Sequence, residues 1–240
     1  VTNFKNIFLK KNNPEVIFAV PHTATDAGTG GNGWTWDFFQ CPKPHGWDAG
    51  NQDIPYLEMA ESYEHVDGTP GKLDYDVIQS GLWTTNDLWA NKDPRFYATI
   101  WTQNTPWKGS KVDGHNGIIL PDGTVQLQGS YDGILAKGSQ ANFFQSGFGV
   151  MKYLDEEHNN MDYILNSSTD WLVFRYAEIL LNYAEAAIEL GKSADALDAI
   201  NQIRSRAGIQ LLSLADRDKI RQERKVELAY EGHRYWDLRR

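Results

Sequence analysis

WLVFRYAEILLNYAEAAIELG, residues 171–191, decides the fold. Apolar or small side chains recur at Leu172, Tyr176, Leu180, Tyr183, Ala187 and Leu190, the rhythm that lines one face of an α-helix. Gly191 stands just past the end, where a helix commonly closes through a left-handed residue. The spacing predicts a helix over 171–190. Ser193 is placed to cap a second helix carrying Ala196, Leu197, Ile200, Ile203 and Ala207, which Gly208 ends. Ser213 followed by Asp216 resembles a capping box that opens a third helix through Tyr230, with Gly232 after it.

Upstream the character changes. Phe4, Ile7 and Phe8 suggest a helix near the start, and Val16–Val20, bounded by Pro14 and Pro21, reads as a buried strand. Residues 22–53 are rich in Gly, Asn, Asp and aromatics without a sustained period. A loop of that length with that many large rings is expected to be ordered and functional. Pro55–Tyr63 reads as a short helix, Phe96–Trp101 as a strand or helix entry, and Gly-rich chain with short apolar runs continues to Gly149. The expected fold is mainly α, with α/α helix pairs, a long irregular loop-rich region and few short strands. It is read as one unit of residues 1–240, irregular over 1–165 and helical over 166–240.

Composition narrows the function. A formal net charge of −9 disfavours the phosphate attraction on which nucleic-acid binding leans, and favours a neutral or cationic ligand. The single Cys41 cannot form an internal disulfide, and Cys/His pairs with zinc-site spacing are missing. No apolar run approaches a membrane span. Aromatics make up 12 % of the chain, with nine Trp, so some rings are candidates for exposed recognition surfaces. The abrupt start at Val1 and the end inside a helical pattern read as those of a fragment.

The first two helices match a degenerate tetratricopeptide repeat. Leu180, Tyr183, Ala184 and Ala187 fill first-helix slots, and Ala196, Ile200 and Ile203 fill second-helix slots. Three longer stretches carry a family resemblance. Arg175–Ala186 (RYAEILLNYAEA), Ala199–Gly208 (AINQIRSRAG) and Ile220–Arg240 (IRQERKVELAYEGHRYWDLRR) resemble, in order, motifs of the SusD/RagB outer-membrane proteins. Asn91–Tyr97 and Asn13–Phe18 are weaker echoes. The resemblance implies tetratricopeptide-like helix pairs supporting an irregular binding region, on a lipid-anchored protein at the cell surface. It also implies capture of an oligosaccharide, polysaccharide or peptide for a partner, a SusC-like TonB-dependent outer-membrane transporter, with no catalysis and no cofactor.

Within the long loop, Trp34 and Trp36 are the leading carbohydrate-binding candidates. If the chain is extended there, its period of two puts both rings on one face as a platform for a pyranose, while Asn32, Asp37 or Asp48 bind hydroxyls. Phe39 and Trp47 are further candidates. The alternative reading of either Trp is a core anchor, the common fate of that residue. Trp83, Trp89, Trp101 and Trp107 are assigned to core or rim. Gly28–Gly33 satisfies G-x-G-x-x-G, but Val20 ends the preceding strand too early and no helix is expected after Trp34, so the dinucleotide reading fails. Asp37, Asp48, Asp53 and Glu58 are the carboxylates from which a glycosidase pair would come. The charged set Arg221, Glu223, Arg224, Glu227, Glu231, Arg234, Asp237 and Arg239 reads as an ion-pair network locking the last helices, by its i, i+3 and i+4 spacing. The alternatives to glycan capture are a transporter-capping scaffold or peptide binder, and a glycoside hydrolase.

Overall fold

The computed structural model describes residues 1–23, 32–42, 50–80, 85–112, 118–119, 125–126, 146–157 and 167–239. In chain order the elements are α1 (Thr2–Leu9), β1 (Val16–Val20), α2 (Trp36–Gln40), α3 (Leu57–Glu61), α4 (Tyr75–Ser80), α5 (Thr85–Leu88) and α6 (Pro94–Thr99). Then follow β2 (Ile100–Thr102), β3 (Pro106–Trp107), β4 (Ser110–Lys111), β5 (Ile118–Ile119), β6 (Val125–Gln126), β7 (Phe148–Val150) and β8 (Trp171–Arg175). The chain closes with α7 (Tyr176–Glu189), α8 (Ser193–Ala207), α9 (Arg217–Glu227) and α10 (Arg234–Arg239). The fold is mainly α with few short strands, and every sheet described is a two-stranded antiparallel pair.

Two compact units result. The first gathers Val1–Val20, Glu58–Thr99 and Asp170–Arg240. Its centre is the α7/α8 hairpin, in which small residues let two helices approach closely: Ala184 and Ala187 meet Ala196, Ala199 and Ile200, and Leu181 packs with Ile203 and Leu228. Gly191 and Gly208 adopt the left-handed conformation that closes α7 and α8.

Several local expectations are corrected. Residues 171–175 are strand rather than helix, because Trp171, Leu172 and Phe174 pair with Val20, Ala19 and Phe18 of β1. β1 is not buried: Ile17 is 58 % and Phe18 55 % exposed. Ser193 is the first helical residue of α8, and its cap position holds Lys192 without a side-chain bond. At α9, Asp216 is itself the cap, accepting from the Lys219 amide, and the helix stops at Glu227 instead of reaching Tyr230.

The ion-pair network exists, but it joins elements rather than turns of one helix. Glu227, fully buried, accepts from Arg95 Nη1 at 2.8 Å, from Arg175 Nη1 at 2.6 Å and from Arg206. Arg175 also holds Glu231 through two bonds of 2.6 and 2.8 Å, and Glu15 at 2.7 Å. Glu223 bridges Arg95 at 2.5 Å and Arg204 at 2.9 Å, and Arg224 bonds Asp237 at 2.7 Å. Burial, the largest single influence on Glu227, would raise its pKa, but the guanidiniums of Arg206, Arg175 and Arg95 together hold it well below the usual carboxylate range. Among the described residues Arg221 reaches Asp218 alone, at 3.9 Å, Arg234 has no carboxylate in salt-bridge range, and Arg239 bonds the Tyr235 hydroxyl, so these three stand outside the lock.

The second unit gathers Pro21–Leu57 and Ile100–Thr169. Cys41, Trp101, Trp107, Val112, Met151 and Leu154 form its core, with Trp36 packed against it. The β2/β7 ladder sets Trp101 opposite Gly149, where an added Cβ would lie 2.1 Å from the indole and 2.5 Å from Asn51 Oδ1. Only glycine allows that ring to lie flat on the strand.

Candidate functional site

The second unit brings Trp34 and Trp36 together in a way extended-strand geometry does not describe. Trp34 forms an isolated bridge to Ser167, exchanging backbone bonds of 3.2 and 3.1 Å, and Trp36 opens the one-and-a-half-turn helix α2. No helix was expected there from the sequence. Its short run is held at the start by the Asp37 amide donating to Ser167 Oγ at 2.7 Å.

The rings stack instead of lying side by side. Trp34 and Trp36 have centroids 5.3 Å apart and planes 17° off parallel, and His22 stacks on Trp34 at 4.9 Å and 8°. Tyr153 stands edge-on to both indoles at 5.8 Å. Each indole N–H is directed into the unit, Trp34 Nε1 to Thr169 Oγ1 at 3.3 Å and Trp36 Nε1 to the Lys152 carbonyl at 2.8 Å. A buried indole needs such a partner, and the bonds fix both ring planes. Trp34 is the middle ring of the stack. Trp36 lines a shallow recess of about 260 Å³ with Thr35, Phe39, Gln40 and Gln52.

Phe39 is half-buried and sits edge-on to Phe38 at 5.2 Å. Gln40 and Asp53 exchange two bonds, of 2.6 and 3.1 Å, and the Gln52 amide donates to the Phe39 carbonyl at 2.8 Å, so the recess wall is cross-linked to the chain beyond it. The lining residues carry no formal charge. They offer two aromatic faces and primary amides, the chemistry that suits a neutral polyhydroxylated ring.

The polar candidates fare differently. Asp37 is 4 % exposed and its carboxylate accepts from the Asp155 amide at 3.1 Å, inside the unit. Burial pushes its pKa up to about 7, against the opposing effects of the Asp155 amide and the Ser167 hydroxyl. It positions α2 in place of lining the recess. Asn32 uses its amide on the chain, accepting from the Thr23 amide at 2.8 Å and donating to the Pro21 carbonyl at 2.7 Å. Trp47 and Asp48 lie outside the described residues, as do Trp83 and Gly28, Gly30 and Gly31 of the glycine-rich stretch. Trp89, Trp101 and Trp107 are core, as expected. Sequence reading missed His22, Tyr153 and Gln52. Gln52 and His22 flank the long loop and share its composition, whereas Tyr153 reaches the stack from a segment more than a hundred residues away and carries no local signal. Among the described residues no group of His, Cys, Asp and Glu side chains is placed to hold a metal ion.

A tetratricopeptide-like helix pair and a loop-built unit carrying an aromatic recess together define a mainly α, tetratricopeptide-like class of protein. The chain belongs to the SusD family, whose model matches residues 14–240. A SusD-like protein of Bacteroides fragilis superposes with a TM-score of 0.67 at 29 % identity, over 99 % of this chain and 46 % of that one. A SusD-like carbohydrate binding protein of the same species superposes with a TM-score of 0.73 at 26 % identity, over 98 % of this chain and 44 % of that one. SusD-like protein P38 of Formosa agariphila is 36 % identical over 83 residues, covering 29 % of this chain and 16 % of the relative. The chain therefore spans less than half the length of these proteins.

Proposed function

We propose that this protein is a non-enzymatic glycan-binding protein of the cell surface, which captures oligosaccharides for import by a SusC-like TonB-dependent transporter. The observation that carries this reading is the uncharged recess of Trp36, Phe39, Gln40 and Gln52, with Trp36 braced from behind by Trp34 and Tyr153. A rigid indole presents a flat apolar face at little entropic cost, and amides at its edge can exchange hydrogen bonds with hydroxyls. The similar carbohydrate binding protein of Bacteroides fragilis supports the same ligand class.

The absence of catalysis is part of the proposal. Of the carboxylates considered for a hydrolase, Asp37 is buried and bonded to the Asp155 amide and Asp53 is bonded to Gln40, which supports a reading without an acid pair. Surface attachment through a lipid anchor and delivery to the transporter rest on family membership. Among the described residues no helix is long and apolar enough to cross a membrane. The scaffold reading draws on one observation: Tyr176, Ile179, Tyr183 and Leu190 form an exposed apolar stripe along α7, on which a protein neighbour could pack. A glycan array on the chain, followed by chromatography of each bound oligosaccharide after prolonged incubation, tests the proposal. Binding of neutral glycans without product release is expected; release of shorter products, or no glycan bound, contradicts it.

A further inference from the structure

The first unit contains a second cleft, of about 480 Å³, between α7, α9 and α10. Its lining alternates in charge, with Glu185, Asp218 and Asp237 against Arg221, Arg224, Lys225 and Arg234. The pairs do not cancel. Arg224 is consumed by Asp237 at 2.7 Å and Asn182 at 2.8 Å, and Arg221 reaches Asp218 at 3.9 Å. Lys225 and Arg234 remain without a carboxylate in salt-bridge range among the described residues. Among the described residues the Lys225 ammonium donates to the neutral Ser62 hydroxyl alone. Burial pushes the Lys225 pKa down and Arg234 lowers it further, while Glu58 acts in the opposite sense. Lys225 and Arg234 thus line one cavity, where an entering anion could meet both.

We propose that this cleft is an anion site, which takes the carboxylate or sulfate group of an acidic saccharide between Lys225 and Arg234. The net charge of −9 does not oppose this, because charges beyond roughly 10 Å are screened at moderate salt and the lining itself sets three acids against four bases, a local excess of positive charge. The cleft volume falls in the range of small-ligand pockets, ~300–1,000 Å³, which favours a sugar ring or two over a protein surface. Arg234 supplies a planar fork that suits an oxyanion and Lys225 a point charge. Leu238, also in the lining, offers an apolar contact for the ring. The saccharide part of this inference rests on the glycan-capture reading; the anion part does not.

The test is an NMR titration of Lys225, read in the chain with its lysines isotope-labelled, the signal assigned with Lys225→Arg, and the ionic strength fixed with chloride. Probes are inorganic sulfate, glucuronate, glucose and a short oligo-aspartate peptide. Sulfate and glucuronate are expected to raise the Lys225 pKa by about 1, the usual effect of an opposite charge within hydrogen-bonding reach. Glucose should leave it unchanged. In Arg234→Gln the pKa should start higher and the response should shrink. Trp36→Ala should keep the response in full, which separates failure here from failure of the recess. No shift with sulfate, or an equal shift in Arg234→Gln, overturns the anion site. A shift with sulfate but none with glucuronate, or a larger one with the peptide, overturns the saccharide assignment.

Discussion

At the residue scale, the two tryptophans that look equivalent in sequence have separate duties. Trp34 is clamped between His22 and Trp36 and bonded to Thr169, so its removal empties the middle of a stack. Trp34→Ala is expected to destabilise the protein by about 3 kcal/mol, at the low end for large aromatic truncations because the ring is only half-buried. Denaturant unfolding checks this; unchanged stability would mean that the stack is not a structural unit. Asp37 gives a pH signature. Its folded pKa of about 7 lies above the ordinary 3.8. The folded state therefore holds the proton more tightly. The stabilisation it supplies is complete below about pH 4 and is lost as pH rises through 7. Asp37→Asn, which stays neutral, should remove that decline, so thermal melts of variant and wild type between pH 5 and 8 should diverge in slope. Parallel slopes would place the carboxylate in water.

Elements show where local reading succeeds. The α7/α8 hairpin is legible in the helical period and in Gly191 and Gly208 at its ends, but the face is not: Tyr176, Tyr183 and Leu190 of the expected apolar face are exposed, and the buried side is that of Ala177, Leu181, Ala184 and Ala187. Trp171–Arg175 was absorbed into α7 because its apolar residues fall in phase with that helix. What makes it a strand is β1, whose pairing partners lie some 150 residues earlier and leave no trace in a local window. The same limit applies to the ion-pair lock: its acids were visible at i, i+4 spacing in α9, but their partners Arg95, Arg175, Arg204 and Arg206 come from elsewhere. Leu181→Ala, in the fully buried face of α7, is expected to cost about 3 kcal/mol. Glu227→Gln should cost a similar amount, about 3–5 kcal/mol, because it leaves buried guanidiniums short of charge. Since the folded carboxyl is held low, the wild-type contribution is present above about pH 4.5 and is lost as pH falls, so the difference between wild type and Glu227→Gln should narrow in acid. A gap that is constant with pH would contradict the depressed pKa.

For the whole molecule, the sequence motifs and the fold agree on a SusD-family chain of helical repeat and loop-built unit. The long loop supplies Trp36 and Phe39 to the recess, and the sequence does not show which of its rings would line it. That choice is made by His22 and Tyr153, through packing that only the folded chain creates. On the proposed function, Trp36 is the face on which a sugar rests. Calorimetric titration of wild type and Trp36→Ala with the neutral oligosaccharide selected on the array addresses it directly. An affinity loss of about 2 kcal/mol, or roughly 30-fold, is expected, by analogy with aromatic hot spots. Equal affinities in the two proteins, with Trp36→Ala still folded, would contradict it.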